Sequence, residues 1–401
     1  MTVGFEIQPL LDPEKTGIGY YADGFVSRLI GSYPESRFLL EGFAFRDFDG
    51  ARERIKPYEA ENSEVKMRRF PRFVYRAVSM FLPIPYKWFF SEDADVRHFF
   101  NFIIPPLVKG KKVVTIHDMV MHRFPETVRA KTKYMLHIGL AKTIKQADLI
   151  LADSEFTKQE ILHFYKCCPE KITVLYPGID KKKYHENISP QDIYKAKSDC
   201  GVEGEYILYL GTLEPRKNIE RLVEAYSILK EKHPQAPDLV IAGRKGWMFD
   251  SIFQEVKRLG VESNVHFTGY VPDGSKPGLM AGAMFFCFPS LYEGFGLPPL
   301  EAMSCGTPVM VSNAGPLPEV TGGAGLLADP YSVGAISDAM EKLFLDDELR
   351  LELRDKGLKQ AARFDWDIFS EELFGFYKNL VDSKSVVPLT ENNSIDTTKL
   401  L

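Results

Sequence analysis

The chain of 401 residues is 45% hydrophobic and 26% charged, which excludes the disordered, collagen-like and small disulfide-stapled classes. Fifty Lys and Arg against 55 Asp and Glu leave a formal charge of −5, so nothing attracts nucleic acid or an anionic membrane globally, and a polyanion must be bound locally. Single cores stop growing near roughly 250 to 300 residues, so two domains are expected.

The first residues, MTVGFEIQPLLDPEKTG, reach acidic and turn residues before a signal-peptide core can form, and no stretch approaches the roughly 18 apolar residues of a membrane span. Five cysteines, with Cys167 and Cys168 adjacent, offer neither a paired framework nor zinc-type spacing, and read as thiols of a reducing, cytoplasmic compartment. A helix is expected over Tyr20 to Leu29. Residues 66–90, KMRRFPRFVYRAVSMFLPIPYKWFF, interleave cations with aromatics. The plain reading is a loop and helix of an acceptor-side domain, and the alternative is contact with a lipid phosphate or the membrane surface.

From there, short apolar runs alternate with segments of helical period. The runs are Lys112 to Ile116, Asp148 to Ala152, Ile172 to Leu175, Tyr206 to Leu210, Asp238 to Ala242, Met284 to Phe288 and Pro308 to Ser312. The helical segments are Val128 to Lys145, Asn218 to Lys230, Pro299 to Ser304, Ser332 to Leu345 and Asp347 to Arg363. This alternation predicts an α/β fold of βαβ units in two doubly wound halves. The boundary is placed in the polar stretch Asp180 to Glu205, and the aperiodic end from Ser383 is expected to fray.

Chemistry concentrates in Phe288 to Val320, FPSLYEGFGLPPLEAMSCGTPVMVSNAGPLPEV. After a buried strand, Gly294 and Gly296 permit close backbone approach to a ligand, and Pro298 and Pro299 suit the opening turn of a helix. A helix start at a strand's carboxyl end is where doubly wound folds bind anions. Glu293 and Glu301 flank the glycine loop rather than sharing a helix face, so their roles differ. The strand Tyr206 to Leu210 ends in GTLEPRKN, with Arg216 and Lys217 ahead of a helix expected to be capped by Asn218, and two cations there suit a diphosphate. His117 follows the strand VVTI at a carboxyl-end position beside Asp118.

The glutamates eight apart in EGFGLPPLE, with GTLEPRKN, AGRKGW at Ala242 to Trp247 and TGIG at Thr16 to Gly19, resemble the retaining nucleotide-sugar glycosyltransferases of family 4. The resemblance runs to about Val381. It implies a GT-B architecture of two Rossmann-like domains facing a cleft: an acceptor-side domain over 1–180, a donor-binding domain over 181–365, a helix over 366–382 that crosses back, and a flexible tail over 383–401. Carried over by position, Arg216 and Lys217 hold the leaving diphosphate, Glu293 contacts the donor sugar and Glu301 the ribose. Gly17 and Gly19 form a loop near the phosphates, and Gly211 and Thr212 are donor-binding. Gly294, Phe295, Gly296 and Leu297 touch sugar and phosphate, and His117 stands near the reacting centre.

The resemblance is greatest to bacterial polysaccharide mannosyltransferases, which implies GDP-mannose as co-substrate, a saccharide or lipid-linked glycan acceptor, and no metal, cofactor or nucleic acid. A UDP- or ADP-sugar donor, a sugar-nucleotide epimerase and a non-catalytic sugar-nucleotide binder are the alternatives. The DxD strings Asp93 to Asp95 and Asp365 to Asp367 are set aside as metal motifs, as is the set His117, Asp118 and His122. Tyr20 and the GSKPG run at Gly274 to Gly278 depart from the family pattern.

Overall fold

The computed structural model describes residues 1–382 apart from 14, 16, 247 and 248 and the side chains at 80 and 81. The expected tail over 383–401, Thr16 of TGIG and Trp247 of AGRKGW lie outside the described residues.

Two sheets organise the chain, both entirely parallel. The first contains β1 (Thr2–Glu6), β2 (Arg37–Ala44), β3 (Ser63–Arg69), β4 (Val96–Phe99), β5 (Lys111–Ile116), β6 (Leu149–Ala152) and β7 (Ile172–Val174), in the order β3-β2-β1-β4-β5-β6-β7. The second contains β8 (Tyr206–Leu210), β9 (Asp238–Ala242), β10 (Val265–Gly269), β11 (Phe285–Phe288), β12 (Val309–Ser312) and β13 (Leu326–Ala328), in the order β10-β9-β8-β11-β12-β13. Strand order reverses between β1 and β4 in one sheet and between β8 and β11 in the other, and doubly wound folds take ligands outside the carboxyl ends of such strands.

The expected strands from Lys112 onward form within a residue of their predicted limits, because runs such as YILYL are buried at every position. The first four strands, β10 and β13 are additions to the sequence reading. β2 carries a charge inside the core: Arg97 of β4 donates to both oxygens of Glu41 at 3.2 Å, and both side chains are almost wholly buried. The pair bridges across β1 over Gly4, where a Cβ would lie 3.1 Å from Arg97 Cγ. The polar stretch 180–205 is not all linker. Ser189 caps a helix over Pro190–Asp199 by accepting from the Asp192 amide, which gives this lysine-rich segment a regular structure.

The chain passes between the two sheets' layers twice, and the two passages lie side by side. Ile179 N donates to Phe364 O at 3.2 Å, and Ile179 bridges Asp365 in parallel. Beyond them the Trp366–Asp382 helix packs on the first domain's Gly17–Ser32 helix. Trp366 occupies the space that a Cβ on Gly24 would need, and Phe374 stacks on Tyr33. Tyr377 reaches the core, its hydroxyl 2.6 Å from Nδ1 of buried His98, whose Nε2 is 2.8 Å from Thr115 Oγ1.

Removing one partner of a buried ion pair costs about 3–5 kcal/mol because the other charge is left unpaired, whereas an apolar replacement of both is often neutral. Arg97→Ala is therefore expected to lower the urea midpoint of the first domain, and Arg97→Met with Glu41→Leu to recover most of the loss. Equal midpoints for the single and double variants would remove this role for the pair.

Candidate active site

β11 and β8 pair through Phe285 with Ile207 and Phe286 with Leu208, so the loops leaving their carboxyl ends emerge side by side. From β11 the chain runs through Tyr292 and Glu293 into the Leu297–Ser304 helix, with proline in its first turn and Gly296 at its N-cap position. Gly296 has φ +118°, open to glycine and strained for other residues. Gly294 is required for a different reason. A Cβ there would lie 1.8 Å from the His117 carbonyl oxygen, so the close approach expected toward a ligand is to the backbone of the other domain. The Gly294 carbonyl also accepts from Ser154 Oγ at 2.7 Å and Thr157 Oγ1 at 3.0 Å.

From β8 the chain passes Gly211 and Thr212 into a 3-10 turn over Pro215–Lys217. Lys217 Nζ donates to Glu293 Oε1 at 2.6 Å, and Arg216 Nη1 donates to Glu293 Oε2 and to the Tyr292 carbonyl, each at 2.9 Å. Arg216 Nε lies 2.7 Å from Glu214 Oε1. Burial alone would raise the Glu293 carboxyl, but Lys217 and Arg216 outweigh it and hold Glu293 down at about 2. Asn218 does not cap the following helix as expected. At φ +61° its side chain instead donates to the carbonyls of Pro289 and Pro330, tying the cation turn to neighbouring loops. The AGRKGW turn hydrogen-bonds alongside through Leu213 N to Arg244 O and Gly246 N to Leu213 O, each at 3.0 Å.

In the first domain, His117 is buried with Nδ1 2.7 Å from Asp153 Oδ2 and Nε2 2.8 Å from the Phe100 carbonyl. Both partners accept, so both ring nitrogens carry hydrogen. Burial opposes the charge, but the Asp153 carboxylate and the Phe100 carbonyl together raise His117 above its ordinary value. Neither ring nitrogen is free to take a proton from a substrate. Gly17 and Gly19 are not in a loop. They form the first turn of the Gly17–Ser32 helix, where Gly17 lines the cleft and Gly19 packs against the Pro9 carbonyl.

A cleft of about 790 Å³ joins these groups, lined also by Thr212, Phe295, Leu297 and Glu301. Burial raises the Glu301 carboxyl despite nearby Lys276 and Lys183. Here lie residues whose roles the sequence did not disclose. Asp273 accepts from the Tyr20 hydroxyl at 2.6 Å across the cleft and from Lys276 at 2.6 Å, with Lys183 at 3.0 Å. Burial works against that charge, yet these partners hold Asp273 below the carboxylate range. Tyr20 and GSKPG were visible only as departures from a pattern.

The set-aside motifs have other partners. Asp93 pairs with Lys109, Asp95 accepts from the Thr2 amide, Asp365 pairs with Lys181, and Asp367 with Arg28. His122 stacks on Phe164 and meets the Tyr165 hydroxyl at 2.9 Å.

Residues 190–360 match the family of Glycosyl transferases group 1, and residues 43–183 match Glycosyltransferase Family 4. The chain is 34% identical over 386 residues to O-antigen chain mannosyltransferase B of Escherichia coli, covering 95% of this chain and 100% of that protein. It is 29% identical over 296 residues to the serotype-specific mannosyltransferase WbdA of Escherichia coli, covering 73% of this chain but only 36% of that longer protein. Among solved structures it shares its fold with Anabaena HepE in complex with UDP and glucose, at a TM-score of 0.71 and 20% identity over 94% of this chain and 99% of that one. It also shares it with WaaG, a glycosyltransferase involved in lipopolysaccharide biosynthesis, at a TM-score of 0.68 and 17% identity over 94% of this chain and 99% of that one. With two parallel-sheet domains in the GT-B arrangement, the chain belongs to the glycosyltransferases of family 4.

Proposed function

We propose that the chain transfers mannose from GDP-mannose, with retention, to a saccharide or lipid-linked glycan during surface polysaccharide assembly. The observation that carries the transferase reading is the Arg216, Lys217 and Glu293 cluster, which opens into the cleft where the strand order of the second sheet reverses. The mannosyl donor rests on the names of the E. coli relatives.

In this reading the diphosphate lies against Arg216, Lys217 and the start of the Leu297–Ser304 helix, with Gly211, Thr212 and Gly17 along its path. Glu301 meets the ribose and Glu293 the sugar hydroxyls. An ionised Glu293 accepts hydrogen bonds and cannot donate a proton. Negative charge grows on the departing diphosphate, so fixed cations stabilise the transition state more than the ground state. One charge pair at about 4 Å contributes roughly 4 kcal/mol at an effective dielectric near 20. The departing phosphate takes the acceptor's proton on the same face. His117 adds a fixed positive charge beside the reacting centre rather than acting as a base.

A thermal-shift and donor-hydrolysis screen against GDP-, UDP- and ADP-sugars, without added metal, tests the donor. Stabilisation is expected from the GDP series. Glu293→Gln is expected to lower the unliganded melting temperature, because two buried cations lose their counter-charge, and to enlarge the shift given by GDP. Arg216→Ala is expected to lower turnover about 10²-fold under saturating donor. An unaltered GDP shift in Glu293→Gln, together with unchanged turnover in Arg216→Ala, would take the diphosphate away from these cations.

The raised His117 keeps its charge above pH 6.5 and loses it as pH rises through its folded value. An alkaline limb in kcat/KM is therefore expected, and Asp153→Asn should move that limb to lower pH by removing the carboxylate that holds the proton. A limb that stays in place would exclude His117 as its source.

Membrane contact through residues 66–90 belongs to the same reading. Phe73, Val74, Leu82 and Trp88 are exposed there among cations, and no helix among the described residues is long and apolar enough to cross a membrane. The five cysteines are all free thiols, as suits a site on the cytoplasmic face. The chain is expected to float with anionic vesicles, and failure to do so removes the contact.

A further inference from the structure

The first domain holds a second cavity, of about 320 Å³, that shares no lining residue with the donor cleft. It lies at the carboxyl ends of the first sheet's strands. Glu6 ends β1, Phe43 lies near the end of β2, and Ile103 and Ile104 follow β4. β1 and β4 are the neighbours at which the strand order of this sheet reverses, the position where doubly wound sheets take ligands.

Among the described residues around this cavity, two buried side-chain polar atoms have no hydrogen-bond partner, Glu6 Oε2 and Arg72 Nε. Beside them the Tyr75 hydroxyl pairs with Ser79 and the Tyr86 hydroxyl with Glu41. Buried polar groups in folded proteins are nearly always paired, so an unpaired carboxylate oxygen and guanidinium nitrogen lining one cavity mark a place where a ligand completes the pairing. Glu6, Tyr75 and Tyr86 are each more than nine-tenths buried.

The lining carries three cations, Arg72, Arg76 and Lys142, against the single carboxylate of Glu6. Glu6 Oε1 serves two guanidiniums, at 3.1 Å from Arg72 and 3.8 Å from Arg76. Burial first, and then the neighbouring Arg72, push Arg76 below its ordinary range despite Glu6. The lining also includes apolar Ile104, Pro105, Pro106, Met135 and Ile138. Outside it, on and just after the helix that supplies Arg72 and Arg76, stand the exposed Phe73, Leu82 and Trp88. The site thus asks for an anion that accepts from arginine, an attached hydroxyl that donates to Glu6, and a hydrocarbon body.

We propose that this cavity binds a phosphate ester of a long-chain alcohol, its phosphate against Arg72 and Arg76 and its hydrocarbon along Ile104, Met135 and Ile138. The inference rests on the lipid-linked acceptor reading and deepens it by naming the part of the acceptor that the first domain grips. A sugar carried on the phosphate supplies the hydroxyl that Glu6 Oε2 lacks. The segment 100–104 separates this cavity from the cleft: Phe100 O meets His117 Nε2 at 2.8 Å, the Phe102 ring centre lies 5.9 Å from that of His117, and Ile103 and Ile104 face the cavity.

Titration calorimetry of the full chain with farnesyl phosphate below its micelle concentration, with farnesol and with inorganic phosphate, tests this. Farnesyl phosphate is expected to bind at least tenfold more tightly than either of the others. Arg72→Gln with Arg76→Gln should bring its affinity down to that of farnesol, while GDP binding in the same preparations is unchanged. Ser79→Leu, which fills the cavity from its polar side, is the second variant and should lower affinity at least tenfold without altering either arginine. Equal binding of farnesol, or unaltered farnesyl phosphate affinity in both variants, overturns the site. Equal binding of inorganic phosphate makes it a free-phosphate site and overturns the lipid. Loss of GDP binding by the wild-type chain would instead count against the transferase reading, so the two failures are distinguishable.

Discussion

Arg216 and Lys217 are adjacent in the chain and both largely buried, and their mutual repulsion is tolerable only because Glu293 stands 2.6 Å from one and 2.9 Å from the other. With Glu214 held by Arg216 Nε, the cluster contains two cations and two carboxylates. It is therefore close to neutral when empty. An arriving diphosphate does not fall into bare positive charge; it shares or takes over partners that the protein already supplies. The pairing of β8 with β11 makes this possible, because it brings together loops about 76 residues apart in sequence. A one-residue slip of that register would turn the flanking side chains to opposite faces and separate the charges.

The same glycine loop joins the domains. Gly294 packs on the His117 carbonyl, Tyr292 Oη accepts from the Met119 amide at 2.8 Å, and Glu319 accepts from the Glu155 and Phe156 amides at the start of a first-domain helix. On the other side of the cleft the domains meet through Tyr20 and Asp273, a hydrogen bond between side chains that remain partly exposed. Backbone contact without room for a Cβ resists sliding, whereas a partly exposed side-chain hydrogen bond exchanges readily with water. Opening of the cleft is thus easier on the Tyr20 side, where Glu301 and Lys276 also lie.

Four strands of the second domain, β8, β9, β11 and β12, were legible because they are continuous apolar runs, and some of its helices carry recognisable ends, such as Ser332 accepting from the Ala335 amide; β10, VHFTG, and the three-residue β13 are partly exposed edge strands without such a run. β1 to β4 were not legible, for physical reasons. β2 buries Glu41, β4 buries Arg97 to neutralise it, β1 needs Gly4 to let the pair pass, and β3 reads SEVKMRR as a polar edge. Each of these residues argues against a strand when considered locally. In the site, Glu293, Arg216 and Lys217 were readable as types in a pattern, while the partnership of Tyr20 with Asp273 spans 253 residues and leaves no local trace. Asn218 was read correctly as a helix boundary but for the wrong bond, since an αL residue at that position points its amide away from the helix it precedes.

His117 shows how the first domain's polar groups are committed. Its two ring nitrogens face a carboxylate and a carbonyl, so the proton it holds answers to Asp153 and to the position of Phe100 O. Phe100 begins the segment that reaches Phe102, a non-glycine residue at φ +58°, before the chain turns to line the second cavity. Such a backbone conformation persists only where its surroundings over-determine it, here by the Phe102 amide on Thr115 O and the Ile104 amide on Thr143 Oγ1. A shift of this segment would reach His117, because the Phe100 carbonyl that faces Nε2 belongs to it and helps to raise the ring above its ordinary value.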